Sequence, residues 1–165
     1  MTSNKESIAL VPGSFDPFTV GHRDVVLKAS AAFDRVVVAV MINDQKKYMF
    51  TSEQRVEIAR RSLADIPNVE VIYDGGMLVE LFDRLGASAI VKGIRNVEDL
   101  AYENKMAKYN SEQNPRAVTV YVPAEDGHAA VSSTAVRARE DDDEAFLEYL
   151  CDGAREYVRE LLLRR

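Results

Sequence analysis

Several short stretches of this sequence concentrate groups that can hold an oxyanion. Gly13-Ser-Phe-Asp-Pro-Phe-Thr-Val-Gly-His22 links an apolar run to a helix-like one through a glycine-containing turn. Such a turn exposes backbone N–H groups and aims the positive end of a helix dipole at whatever lies in front. Asp16-Pro17 marks a rigid turn, Gly21 permits close backbone approach, and His22 falls in the first helical turn. The segment is neither a P-loop nor a dinucleotide fingerprint, because Gly-x4-Gly-Lys-Ser/Thr and Gly-x-Gly-x-x-Gly are both absent. Ser132, Ser133 and Thr134 set three hydroxyls at an expected helix start, with Arg137 after them. One hydroxyl would suffice for capping; three favour phosphate. Lys46-Lys47 and the Lys92/Arg95 pair each follow an apolar run. An ammonium on a flexible stem suits a charge that moves, and a guanidinium fork suits a phosphate. No Ser-His-Asp or Cys-His arrangement is evident. Taken alone, His22 reads equally as a structural cap or a phosphate ligand. Lys46 and Lys47 then read as a solvated loop, Glu103 as a solvated helix face, and Leu78 with Met77 as a core stripe.

These groups act together only if the elements bring them to one place. Strands are expected over 8–11, 36–42, 69–73, 89–91 and 117–122. Helices are expected over 21–33, from the Thr51/Gln54 capping box to about Ile66, and over 77–85, 96–112 and 132–139. One or two more fall within 142–163. The unbroken β-branched run from Val36 is the pattern of a strand covered on both faces. The order βαβαβαβαβ plus C-terminal helices predicts an α/β, Rossmann-like domain over 1–165. It has a five-stranded parallel sheet with helices on both faces and a polar tail over 1–7. Ligands of such sheets sit beyond the carboxyl ends of the strands. The segments 12–22, 43–47, 74–78, 92–96 and 124–134 all follow strands, so five segments can converge on one crevice.

Composition narrows the class. The chain has 165 residues, 47% hydrophobic and 29% charged, an ordinary balance for one globular domain. The single cysteine, Cys151, excludes an intramolecular disulfide and a cysteine-built zinc site, and fits a reducing compartment. No apolar run approaches a membrane span, and the expected location is cytoplasmic. A net charge of −6 argues against nonspecific nucleic-acid or membrane binding. Any polyanion must therefore meet a local cluster of basic groups. The acidic run Asp141–Glu144 reads as a solvated helix start, and Arg164-Arg165 as a frayed end.

Five motifs stand in order: Phe15-Asp-Pro-x-Thr-x-Gly-His22, Lys46-Lys-x-Met-Phe50, Lys92-Gly-Ile-Arg95, Tyr102-Glu103 and Ser132-Ser-Thr-x-Val-Arg137. Over Ile8 to Arg137 the chain resembles the bacterial phosphopantetheine adenylyltransferases, nucleotidyltransferases marked by Thr/His-x-Gly-His. The resemblance implies transfer of the adenylyl group of ATP to 4′-phosphopantetheine, giving dephospho-coenzyme A and pyrophosphate. It implies ATP contacts from Ser14, Phe15, His22, Gly93, Ile94, Arg95 and Glu103. It extends them through His128, Ala129, Ala130, Val131, Ser132, Ser133 and Thr134. Contacts to the phosphorylated acceptor would come from Ser14, Lys46, Leu78 and Lys92. His22, Lys46 and Arg95 would carry the catalysis, with Lys47 peripheral. Many relatives have Thr at position 14, Arg at 92 and an aromatic residue near 128, so Lys92 loses the fork and His128 changes the adenine side. The attacking group would be the substrate's own phosphate, with a second pKa of about 6, so no enzymatic base is required. Mg²⁺ is expected to arrive on ATP, held by phosphate oxygens and water. A homo-oligomer, a hexamer by the resemblance, is expected. The rival readings are a nicotinate or nicotinamide mononucleotide adenylyltransferase, a cytidylyltransferase for a small phosphorylated alcohol, and a catalytically silent nucleotide-binding regulator. Thr19, where the first rival has His, and the Lys92–Arg95 and Tyr102-Glu103 elements speak against that rival.

Overall fold

The computed structural model describes residues 4–165, so residues 1–3 of the expected tail lie outside the described residues. The chain runs β1 (Ile8–Gly13), α1 (Val20–Ala32), β2 (Arg35–Met41), α2 (Ser52–Leu63), β3 (Val69–Asp74), α3 (Leu78–Leu85), β4 (Ala89–Ile94), α4 (Val97–Gln113) and β5 (Thr119–Pro123). Three short helices close it: α5 (Ser133–Arg137), α6 (Asp143–Leu147) and α7 (Asp152–Leu162). All strands are parallel, in the order β3-β2-β1-β4-β5.

Alternation along the central strands builds two cores. Ala9, Val11, Val36, Val38 and Val40 face one side, where α1, α2 and α7 cover them. Ile8, Leu10, Val37 and Ala39 face the other, against Leu81 and Phe82 of α3. Both parities are buried, which is why the β2 run is apolar without a break. Local signals act as the sequence implies. Thr51 and Gln54 close a reciprocal capping box on α2, and Gly86 ends α3 in the left-handed region at φ 62°.

The sheet topology also opens the crevice. After β3 the chain passes back over β1 and enters the sheet on its other side, so the switch point lies between β1 and β4. These two strands are in register only at Ala9↔Ala89 and Leu10↔Ile90, and then part. β4 meanwhile stays paired with β5 through Ile94↔Pro123. This corrects the expected end of the fourth strand. Lys92, Gly93 and Ile94 belong to β4, and Lys92 is tolerated there because β1 has already left its side. Neither face is evenly covered: of the whole of α4 only Asn110 is buried.

Candidate active site

Where β1 and β4 part there is a cavity of about 480 Å³. Its floor is Val11 to Gly13 and Val91 to Gly93, and its walls are the segments that follow the strands. Most of the expected site residues line it: Ser14, Phe15, His22, Lys46, Lys92, Gly93, Ile94, Arg95, Glu103, His128, Val131, Ser132, Ser133 and Thr134. Lys47, expected at the periphery, lines it too. Ala129 and Ala130 do not; both are exposed on the outer side of their loop. Leu78 is also displaced. It packs on the second core and borders a smaller hollow of about 110 Å³, shared with Lys92, Tyr102, Glu103 and Met106. The two spaces therefore meet at Lys92 and Glu103.

His22 is both a cap and a cavity group. Thr19 is the N-cap of α1, and its backbone N–H donates to His22 Nδ1 at 3.0 Å. An accepting Nδ1 leaves the ring proton on Nε2, so the neutral imidazole presents an N–H donor. The ring is wedged against Phe15 and Phe18, with centroids 5.0 and 5.3 Å away. Burial, followed by the charges of Arg95 and Lys92, lowers its pKa to about 3. His22 is therefore an uncharged donor at neutral pH, surrounded by cations that repel its protonation. Phe15 takes φ 48°, a left-handed conformation that bulky residues avoid, and this holds its ring beside His22.

The cations on the opposite walls are held less firmly. Lys46 Nζ, midway along the loop that joins β2 to α2, lies 3.5 Å from Ser14 Oγ. Asn43 and Tyr48 pin that loop: the Asn43 N–H donates to the Tyr48 hydroxyl at 2.6 Å. Arg95 is engaged by Asp99, one helical turn on, through Nε at 3.0 Å and Nη2 at 3.2 Å. Lys92 meets Glu103 at 3.4 Å. His128 pairs with Asp24 on α1, and Lys28 ties the same loop to α1 through Glu125 at 2.7 Å. Asp16 is buried and accepts from the Met49 and Phe50 N–H groups at 2.8 and 2.9 Å.

The three hydroxyls divide their roles. Ser132 caps α5, Ser133 Oγ donates to the Pro17 carbonyl at 2.8 Å, and Thr134 Oγ1 accepts from Arg137 at 3.3 Å. The capping alternative thus holds for Ser132, while Ser133 and Arg137 fasten this segment to the Asp16-Pro17 turn; Arg137 donates to the Asp16 carbonyl at 2.7 Å. Asp24, Asp99, Tyr48 and Arg137 complete the walls. The first two were not legible as site residues, because a lone carboxylate on a helix reads as solvated surface.

Close approach explains one glycine. A Cβ on Gly93 would stand 2.7 Å from Val25 Cγ2 of α1. Gly93→Ala is therefore expected to cost about 1–3 kcal/mol by overpacking. In a chain of this size that is a fall of roughly 2–12 °C in melting temperature, readable by differential scanning fluorimetry. An unchanged melting temperature would mean that α1 can withdraw from β4.

The cavity's carboxylates are all engaged: Asp16 by backbone N–H groups, Asp24 by His128, Asp99 by Arg95 and Glu103 by Lys92. No group of three or more His, Cys, Asp or Glu among the described residues could hold a metal ion. Such a donor set suits a divalent ion whose oxygens come from a triphosphate and water, not from a protein cage.

Comparisons with known proteins bear on the family and the fold. The profile of the cytidylyltransferase-like family matches residues 10–139. A phosphopantetheine adenylyltransferase of Caldanaerobacter subterraneus subsp. tengcongensis is 41% identical over 130 residues, 79% of this chain and 81% of that protein. One of Aromatoleum aromaticum is 44% identical over 133 residues, 81% of this chain and 82% of that protein. Among solved structures, a bifunctional NMN adenylyltransferase/ADP ribose pyrophosphatase from Francisella tularensis superposes with a TM-score of 0.70 at 17% identity. It covers 96% of this chain and 50% of its own. A lipopolysaccharide core biosynthesis protein from Thermoplasma volcanium gives 0.53 at 16% identity, covering 73% of this chain and 98% of its own. At these identities the structural likeness speaks for the fold alone.

Proposed function

The chain belongs to the cytidylyltransferase-like family and, within it, to the phosphopantetheine adenylyltransferases, and from that premise we propose how its cavity carries the reaction. It is a nucleotidyltransferase that moves the adenylyl group of ATP onto 4′-phosphopantetheine, giving dephospho-coenzyme A and pyrophosphate. The reaction belongs to coenzyme A synthesis.

The observation that carries the residue roles is the convergence of the neutral donor His22 with the cations Lys46, Lys92 and Arg95 on one crevice. The acceptor phosphate, with a second pKa of about 6, is mostly dianionic at neutral pH and attacks the α-phosphorus directly. The chain's task is then alignment and charge stabilisation. His22 Nε2–H donates to a non-bridging α-phosphate oxygen as negative charge grows there. Arg95 leaves Asp99 for the triphosphate, where its fork can bind two oxygens. Lys46, beside Ser14, follows charge between the acceptor phosphate and the α-phosphate. The backbone N–H groups of Ser133 and Thr134 face the outgoing pyrophosphate. Gly93, Ile94, Phe15, Val131 and His128 enclose the nucleotide. Lys92 holds the acceptor, and the hollow beside Leu78 takes its pantetheine arm. Glu103, fixed by Lys92, stands between acceptor and nucleoside. Mg²⁺ carried on ATP would offset phosphate charge, held by phosphate oxygens and water.

We also propose a cytoplasmic homo-oligomer, a hexamer. No helix of the described residues is long and apolar enough to cross a membrane. Tyr102 and Tyr109 of α4 and Val118 beside β5 are exposed, which suits contact with a second copy.

The test is pyrophosphate release from ATP and Mg²⁺ with 4′-phosphopantetheine, nicotinate mononucleotide or nicotinamide mononucleotide. Release with 4′-phosphopantetheine alone is expected. Release with a mononucleotide alone would overturn the acceptor. ATP binding without release from any of the three would leave a silent nucleotide-binding protein.

A further inference from the structure

Behind the cavity wall lies a cation that the reaction scheme does not use. Arg55, on α2, is only 1% exposed and does not border the cavity. Among the described residues no carboxylate oxygen lies within 4.0 Å of it, while Arg23, Arg95 and Arg139 all have acidic partners. Its Nη1 donates to the Ser14 carbonyl at 2.7 Å and to the Met41 carbonyl at 3.2 Å. Its guanidinium stacks on the Tyr48 ring at 4.0 Å, and its buried Nε has no partner.

A buried charge without a counter-ion is costly, and a packed apolar side chain of similar size would often be cheaper. The placement of this one indicates what it does. The three groups it touches are the turn after β1, the last residue of β2, and the aromatic ring that pins the Lys46 loop. Ser14 and Lys46 stand on two of these pieces, 3.5 Å apart. The Ser14 turn that Arg55 grips from behind presents its hydroxyl, with Lys46, to the cavity.

We infer that Arg55 is a positioning residue for the acceptor phosphate: it sets the separation of Ser14 and Lys46, and the bound phosphate supplies its missing counter-charge. The inference rests on the proposed acceptor site at Ser14 and Lys46. Arg55 itself touches no substrate. Its effect is expected chiefly on the acceptor side, because Arg95 and Ser132–Thr134, the groups assigned to the triphosphate, stand on other elements, and Arg55 holds the backbone of Ser14, not Phe15.

The test uses Arg55→Met and Arg55→Lys in the full chain. Steady-state kinetics are measured with each substrate varied, and thermal melts with and without inorganic phosphate. Arg55→Met is expected to raise KM for 4′-phosphopantetheine at least tenfold and to leave KM for ATP within twofold. It is also expected to abolish the rise in melting temperature that inorganic phosphate gives the wild type. Arg55→Lys keeps the charge but cannot bridge two carbonyls while stacked on Tyr48, so its KM for the acceptor is expected to rise about threefold. Both KM values unmoved, or both rising together with a fall in melting temperature, would overturn the inference and leave Arg55 a structural residue. If Arg55→Met does not fold, Arg55→Lys decides: a selective acceptor effect supports the role, and none overturns it. If the wild type does not turn over 4′-phosphopantetheine at all, the acceptor assignment has failed. The phosphate-dependent melts then judge Arg55 alone, and an unchanged phosphate response in the variants overturns it.

Discussion

Replacing His22 with glutamine is expected to lower kcat by about 10²-fold, because a fixed donor to a developing oxyanion is exchanged for an unfixed one. The melting temperature should stay within a few degrees of wild type. Glutamine is the informative substitution because His22 has two jobs. As the third residue of α1 it accepts from the Thr19 N–H, and glutamine is a usual residue at that position of a capping box. Alanine would remove cap and donor together, and its loss of activity would mix stability with chemistry. Glutamine keeps the cap through Oε1, but its amide N–H₂ hangs on a flexible arm, whereas the imidazole holds its Nε2–H rigidly away from the capped Nδ1. Stopped assays of pyrophosphate formation beside a thermal melt separate the two. A variant with near-wild-type turnover would show that an unfixed amide donor serves as well, and would overturn the role given to the fixed Nε2–H.

The second large effect belongs to Lys46. Lys46→Met is expected to reduce kcat by about 10²-fold with little change in ATP affinity. The ammonium meets Ser14 Oγ at 3.5 Å, in the place proposed for the acceptor phosphate, whereas the Arg95 fork is assigned to the triphosphate. A mobile charge is worth most when the negative charge it follows changes place during the reaction. Turnover within threefold of wild type would show that Ser14 and the backbone suffice. A large loss of ATP affinity would place Lys46 on the triphosphate instead.

How far the sequence could be read depended on how locally each feature is encoded. The central strands were legible because burial on both faces demands an unbroken apolar run, as from Val36 to Val40. Cap signals were legible because Thr51 with Gln54 and the left-handed Gly86 act within one turn. The end of β4 was not, because Lys92 and Gly93 resemble loop residues, and only the parting of β1 from β4 makes room for them. Most expected site residues meet at the cavity because their segments stand at or beyond the carboxyl ends of parallel strands. Leu78 and the Ala129-Ala130 pair depart from that pattern. Motif order locates a segment, whereas packing decides which of its side chains turn inward. Asp99 and Arg55 show the same limit: a helical Asp four residues after an Arg, and an Arg in the first turns of α2, look like solvated surface. Only the fold reveals that one engages Arg95 at the cavity and the other is buried.

The central claim is that the substrate's phosphate attacks unaided and that the chain supplies alignment and donors, not a base. The pH profile of kcat/KM for 4′-phosphopantetheine, measured on wild type and His22→Gln, tests it most directly. With its pKa lowered to about 3, His22 stays neutral as pH falls from 8 to 5 and contributes no limb in that window. The substrate phosphate, by contrast, gains its proton near pH 6. The account therefore predicts one acidic limb near pH 6, at the same position in both proteins, with the His22→Gln curve displaced downward throughout. A limb that disappears or moves in His22→Gln would mean that the imidazole itself titrates there and takes a proton, which contradicts the account.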